Sequence, residues 1–175
     1  TGDWSSDVCS SDLEYKALFK FLNDAQLHIS QINSLKTNKE IRVYLSGWLY
    51  LILHLNNAWR NGDVVSFPKL YLRDLADNLK INNIKWFNKN KVSLELARRV
   101  IARVIQYEFK ISKTRMDGHF FCSDTLAPTF ATVLLMLDVH IRSGKVLVDL
   151  HAEGPVMKFY NKYNEPHRKF LKRFI

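Results

Sequence analysis

Arg60 is the residue whose setting most directly implies chemistry. It follows an almost wholly apolar run, residues 48–55, and stands just before Gly62 and Asp63. A guanidinium delivered by a buried helix must be paired, or aimed at an anion in a cleft, because an isolated charge in a low-dielectric interior is costly. Its planar fork of N–H donors matches carboxylate and phosphate geometry. One reading pairs Arg60 with Asp63 as a structural contact; the other directs it at a phosphate. Further cations gather at Lys110, Lys113 and Arg115 in one alternating stretch, and at Arg98, Arg99 and Arg103 along one helix. Lysines and arginines on phosphates give affinity and salt dependence without reading sequence.

The overall charge points the same way. The 175 residues carry a net +9. Residues 1–13 (TGDWSSDVCSSDL) hold three acids and no base; without them 26 basic residues face 14 acids, a balance of +12. A bias this strong favours a polyanionic partner, nucleic acid ahead of an anionic membrane. The bland alternative is a merely soluble basic protein. An apolar fraction of 47% is that of a globular chain and excludes a disordered tail.

Residues 1–13 are Ser/Asp-rich and aperiodic, and the string DWSSDVCSSDL resembles a translated sequencing-library adapter. They are set apart as a non-native segment, leaving residues 14–175 as a single helical domain. Cys9 falls in that piece, so Cys122 stands alone. One cysteine makes neither a disulfide framework nor a zinc site, and a reducing, cytoplasmic setting is expected. No secretory signal is visible, and the longest apolar run, residues 45–55, is too short to span a bilayer. His28, His54 and His151 lack ligand-like spacing and read as structural, so no metal is expected. No Gly-rich phosphate loop and no Ser/His/Asp motif is present, and no cofactor is implied.

Periodicity supplies the elements that must position these side chains. Tyr15, Leu18, Phe19, Leu22, Ala25, Leu27 and Ile29 predict one amphipathic helix over 14–32. Residues 33–38 break it, and 41–56 form a central helix buried on every side. Residues 58–65 read as a tight turn or short helix, and Pro68 punctuates the chain. Another short helix follows around 71–79, then an Asn-rich loop over 80–91. Ser93 caps a helix with Leu94, Ala97, Val100, Ile101, Val104 and Ile105 inward. Residues 107–113 alternate as a strand. Asp117-Gly118 supplies a hairpin turn and 119–122 the returning strand. A long helix runs from 124 or 125 to 141, with Pro128 in its first turn. A short apolar piece (146–150) and a basic, aromatic helix from Met157 complete the chain. The fold class is mainly α with a small antiparallel β-hairpin or sheet.

In order, then, come a buried helix, Ala58-Trp-Arg60-Asn-Gly-Asp63, further helices, a strand ending in Ser112-Lys113-Thr114, a turn, a returning strand and a helix. This order resembles the first half of the catalytic domain of tyrosine recombinases, the phage-type integrases. Ala58, Arg60 and Asp63 match that family's Ala/Gly-x-Arg-x-x-Glu/Asp box, and Ile111-Ser-Lys113-Thr its hairpin lysine. The resemblance covers residues 44–141, and its motifs are short but fall in the family's order.

The resemblance implies DNA strand breakage and rejoining, as in site-specific recombination or integration. A tyrosine hydroxyl attacks a DNA phosphodiester and leaves a 3′-phosphotyrosine. Arg60 would clamp the phosphate as charge grows on its non-bridging oxygens. Asp63 would brace the turn, and Lys113 would protonate the leaving 5′ oxygen. Lys110, Arg115, His119, Arg98, Arg99 and Arg103 would face DNA. The segment from Arg60 to Lys113 is longer than the family's. The His-x-x-Arg box and the nucleophilic Tyr have no counterpart at the expected places. The implied identity is therefore a truncated fragment, inactive as given, of a protein that acts on double-stranded DNA as a homo-oligomer when full length. A non-catalytic basic DNA-binding accessory protein of a mobile element is the alternative, and a protein-interaction module is a third.

Overall fold

Residues 127–142 read APTFATVLLMLDVHIR, with apolar side chains on every face of the helix they form. A helix of that composition has to be enclosed by other elements, and this one organises the molecule. A computed structural model of the chain describes residues 10–57, 59–107, 109–110, 117–118, 120–143 and 155–156. Its elements are α1 (Ser10–Leu22), α2 (Ala25–Ser34), α3 (Asn38–Asn57), α4 (Asn61–Val65) and α5 (Arg73–Asn78). A 3₁₀ turn (Ile84–Asn88), α6 (Leu94–Ile105), β1 (Phe109–Lys110), β2 (Asp117–Gly118) and α7 (Ala127–Arg142) follow. The described chain is thus mainly helical. Helix α7 lies against α3 and α6, and within it only Pro128, Asp138 and Arg142 escape burial.

Helix α3 is less enclosed than its composition suggests. It buries Tyr44, Leu45, Trp48, Leu49, Ile52 and Leu53 along one broad face, while Tyr50, Leu51 and Leu55 are only half-buried. The helix enclosed on all sides is α7. Composition alone does not tell the two apart, because both runs are apolar and only the number of flanking elements differs.

The single helix expected over 14–32 is two. Asp24 interrupts it: its carboxylate accepts from the Leu27 N–H at 3.0 Å and starts α2. Such an N-cap is worth about 1 kcal/mol. Helix α1 also begins earlier than Glu14, at Ser10, although every side chain described from Asp12 to Leu18 is exposed. Residues 1–9 lie outside the description. At α3, Thr37 and Glu40 form a capping box: Thr37 Oγ1 accepts from the Glu40 N–H, and Glu40 Oε2 accepts from the Thr37 N–H. Ser93 caps α6 through the Leu96 N–H, as its position predicts.

Helix α5 closes with Lys80 in the left-handed region, φ 55°. The Ile81 N–H bonds Ala76 O and the Lys80 N–H bonds Asp77 O, the paired closure in which glycine is the usual residue.

Strands β1 and β2 pair antiparallel, Phe109 opposite Gly118 and Lys110 opposite Asp117. The register differs from the expected one, because Asp117-Gly118 lies in the paired segment and not in the turn. Residues 111–116, between the strands, lie outside the description. Phe120, Phe121 and Cys122 are not strand, because side chains of α3 take up the Phe121 backbone. Residues 146–150 and the basic segment from Met157 also lie outside the description. Pro155 and Val156 are described, and both are buried.

A polar cluster lies in the core around His28. His28 is fully buried, stacked on Trp48 with centroids 4.2 Å apart and edge-on to Phe21 at 4.9 Å. Its Nε2 lies 3.0 Å from Phe21 O and its Nδ1 2.8 Å from Tyr44 Oη. A carbonyl only accepts, so Nε2 carries the proton and Nδ1 accepts from the tyrosine. Trp48 Nε1 donates to Leu22 O at 2.9 Å, which ties α3 to the end of α1.

Burial lowers the His28 pKa from 6.5 to about 4. Because the folded value lies below the unfolded one, the stabilisation is full above pH 6.5 and is lost as pH falls towards 4. It amounts to about 3 kcal/mol. His54 is shifted in the same direction by its own burial. Urea midpoints should therefore fall over that range, and less steeply in His28→Gln. Equal steepness in the two proteins would mean that His28 is not held neutral by the fold.

Candidate nucleic-acid interface at the end of the central helix

Helix α3 ends in two adjacent amides, Asn56 and Asn57, which hold the Phe121 backbone from both sides. The Phe121 N–H donates to Asn57 Oδ1 at 3.1 Å, and Asn56 Nδ2 donates to Phe121 O. Just beyond the helix, Trp59 is buried edge-on to Phe120 with centroids 6.1 Å apart. Phe120 meets Phe130 of α7 at 5.1 Å, and Phe130 in turn meets Phe67 at 6.3 Å. The turn after α3 and the segment after β2 are thereby seated together on the start of α7.

Arg60 follows Trp59 and is exposed. The expectation that a buried helix delivers this guanidinium is corrected here: α3 stops at Asn57, and Arg60 occupies the extended N-cap position of α4. Its carbonyl accepts the N–H groups of Asp63 and Val64, each at 3.0 Å, and its side chain makes no capping bond. Asp63 is half-buried, and its backbone N–H donates to the Arg60 carbonyl. Among the described residues no carboxylate forms an ion pair with Arg60, so the Arg60–Asp63 pairing weighed from the sequence is not formed. The buried arginine of α3 is Arg42, whose Nη1 donates to Pro155 O at 2.7 Å. Nothing in the periodicity marks Arg42; its one signal is a charge between Ile41 and Tyr44 in an otherwise apolar helix.

The remaining expected residues divide. Lys113, Arg115 and His119 lie outside the described residues, and Lys110 is described through its backbone, as part of β1. Of the α6 arginines, Arg98 forms a two-pronged ion pair with Asp124, at 2.6 and 3.3 Å. Arg103 pairs with Asp74 at 2.5 Å. Asp124 holds Arg98 above its ordinary pKa, and Arg98 holds Asp124 below the usual carboxylate range. Both pairs are exposed and add little to stability in water, but they consume charges expected to face DNA. Arg99 is exposed and makes no such pair among the described residues.

Two titratable groups stand close to the turn. His54 sits edge-on to Tyr50 at 4.4 Å, and burial lowers its pKa against a bond to the Trp59 backbone. Burial pushes the Cys122 thiol up to about 12, so it is no nucleophile near neutral pH. Among the described residues no group of three or more His, Cys, Asp or Glu is placed to hold a metal ion, and no helix is long and apolar enough to cross a membrane.

Sequence reasoning passed over Asn56, Asn57 and Trp59. Two asparagines closing an apolar helix look like an ordinary polar end, and only the partner segment 64 residues on reveals the clamp. No family of protein sequences, no curated protein and no solved structure matches this chain.

The clamp is testable by itself. Losing one hydrogen bond of about 1 kcal/mol should speed hydrogen exchange at the Phe121 amide roughly five- to tenfold in Asn57→Ala. Amides within α6 should be unaffected. An unchanged Phe121 rate would show that this contact is not what holds the segment.

Proposed function

We propose that this chain acts on DNA as the first half of a tyrosine-recombinase-like catalytic domain, with Arg60 clamping the scissile phosphate. One observation carries the reading. Trp59 and Phe120 meet while Asn56 and Asn57 grip Phe121, so the turn that bears Arg60 lies beside residues 120 and 121, which follow β2. In this reading the β1–β2 pairing is the base of a small β-hairpin that brings Lys113 towards the same phosphate. Arg60 supports it by being exposed and without a carboxylate partner among the described residues, as an anion clamp must be before substrate arrives.

The chemistry follows from those positions. A tyrosine oxygen attacks phosphorus and forms a phosphotyrosine at the 3′ end, while the bond to the 5′ oxygen breaks. The Arg60 fork stabilises the two non-bridging oxygens as negative charge accumulates. Lys113 gives its proton to the departing 5′ oxygen and takes it back on rejoining. Asp63 acts at one remove, through the backbone bond that fixes the Arg60 turn. The reading also requires a second arginine and a nucleophilic tyrosine, and no residue described here is assigned to either role. Double-stranded DNA is the substrate, and the intact protein works as a homo-oligomer on it.

The test uses the protein and a nicked duplex that traps the covalent intermediate. Arg60→Ala should lower covalent trapping at least ~100-fold, the loss expected for one oxyanion donor. Duplex affinity should change less than about fivefold, since one phosphate contact among many is removed. Trapping at near wild-type rate in Arg60→Ala would overturn the assignment. Salt-dependent duplex binding with no trapping in the unaltered protein would identify the accessory DNA-binding protein instead.

A further inference from the structure

A second basic surface lies away from Arg60, where α5, the 3₁₀ turn and the start of α6 enclose a groove of about 420 Å³. Leu75, Leu79 and Leu96 give it an apolar floor, and Trp86 forms part of its wall. The Trp86 ring is fixed edge-on against buried Phe87, with centroids 5.0 Å apart. Three cations line the rim: Lys89, Lys91 and Arg99.

The pairing pattern on α6 separates these charges from their neighbours. Arg98 and Arg103 are tied to Asp124 and Asp74. Arg99, between them in sequence, opens on the groove and has no ion-pair partner among the described residues. Glu95 also lines the groove, one turn before Arg99, yet it forms no ion pair with any of the three cations. The adjoining loop, residues 80–91, holds four lysines and no acid. Unpaired positive charge around a hollow with an aromatic wall and polar as well as leucine lining is complementary to an anion that carries a planar ring.

We propose that this groove binds a single-stranded nucleic-acid segment, with one base against Trp86 and the flanking phosphates on Lys89, Lys91 and Arg99. The volume suits one base. A duplex keeps its bases stacked and offers such a hollow only phosphates, whereas an unpaired strand can place a base on an aromatic wall. Because Phe87 already fixes the indole, stacking orders little that is mobile. The inference shares its ligand class with the recombinase reading, and Arg99 with that reading's DNA-facing cations, but not the Arg60 clamp or its chemistry.

The experiment measures anisotropy of a fluorescein-labelled oligothymidylate of about a dozen nucleotides, within the range of single-strand site sizes, against the full chain. Arg99→Gln should weaken binding roughly fivefold and lower the salt slope by about 0.7. Arg98→Gln removes the same charge one residue away and should change affinity less than about twofold, because that charge is already neutralised. An abasic oligonucleotide of equal length should bind roughly tenfold more weakly to the unaltered chain, as the stacked base is missing. Covalent trapping reads the phosphate-clamp reading and oligonucleotide anisotropy reads this one, so failure here and failure there are distinguishable. Equal losses in Arg98→Gln and Arg99→Gln would overturn the proposal. So would equal affinity for the abasic strand or the duplex, or tighter binding of polyglutamate, which would identify an acidic protein partner.

Discussion

The enclosure of α7 is the constraint on which the rest of the structure depends. A sixteen-residue helix that buries nearly every side chain cannot sit at a surface, so α3 and α6 are drawn against it. Once they are there, whatever does not fit the interior is displaced to their ends and outer faces. At the end of α3 this places the two asparagines, and just beyond it Arg60, at the start of α4. On the outer face of α6 it places three arginines. The candidate surfaces are thus consequences of how one apolar segment is covered.

Aromatic packing then decides which of those displaced groups become neighbours. Trp59, Phe120, Phe130 and Phe67 form a chain of ring contacts from the turn after α3 to the first turns of α7. It joins segments about sixty residues apart and leaves Arg60 outside, in water. The side chain therefore carries its charge at no desolvation cost until an anion arrives, the reverse of Arg42, whose guanidinium is buried and bonded to Pro155 O. The two arginines thus sit in opposite settings: Arg42, inside α3, fastens a distant segment, and Arg60, beyond the helix end, is exposed.

Carboxylate placement sorts the surface cations in the same way. Asp124 and Asp74 neutralise Arg98 and Arg103 and fasten α6 to the segment before α7 and to α5. Arg99 is left with Lys89 and Lys91 around the hollow walled by Trp86. A net charge of +9 describes all of these residues alike. Which of them can meet a polyanion depends on partners supplied from elsewhere in the fold.

Much of the helical architecture was legible in the chain itself. Ser93, Pro128 and the apolar spacing of residues 94–105 mark their helices by local rules of capping and periodicity, and the short helices near 61–65 and 73–78 follow from the same signals. The break at Asp24 was legible too, since an N-cap is a local signal, but continuous periodicity on either side masks it. The sequence alone also carried the basic bias and the isolated Arg60-Asn-Gly-Asp63 turn. The tertiary structure alone decided that α7 and not α3 is enclosed on all sides, that Asn56 and Asn57 grip Phe121, and that Arg98 is spent on Asp124 while Arg99 is not. Each of these depends on a partner between 26 and 65 residues away or on how many elements surround a helix. Local propensity holds no record of such distant pairings; they are set by the requirement to cover apolar surface and to satisfy polar groups at the same time.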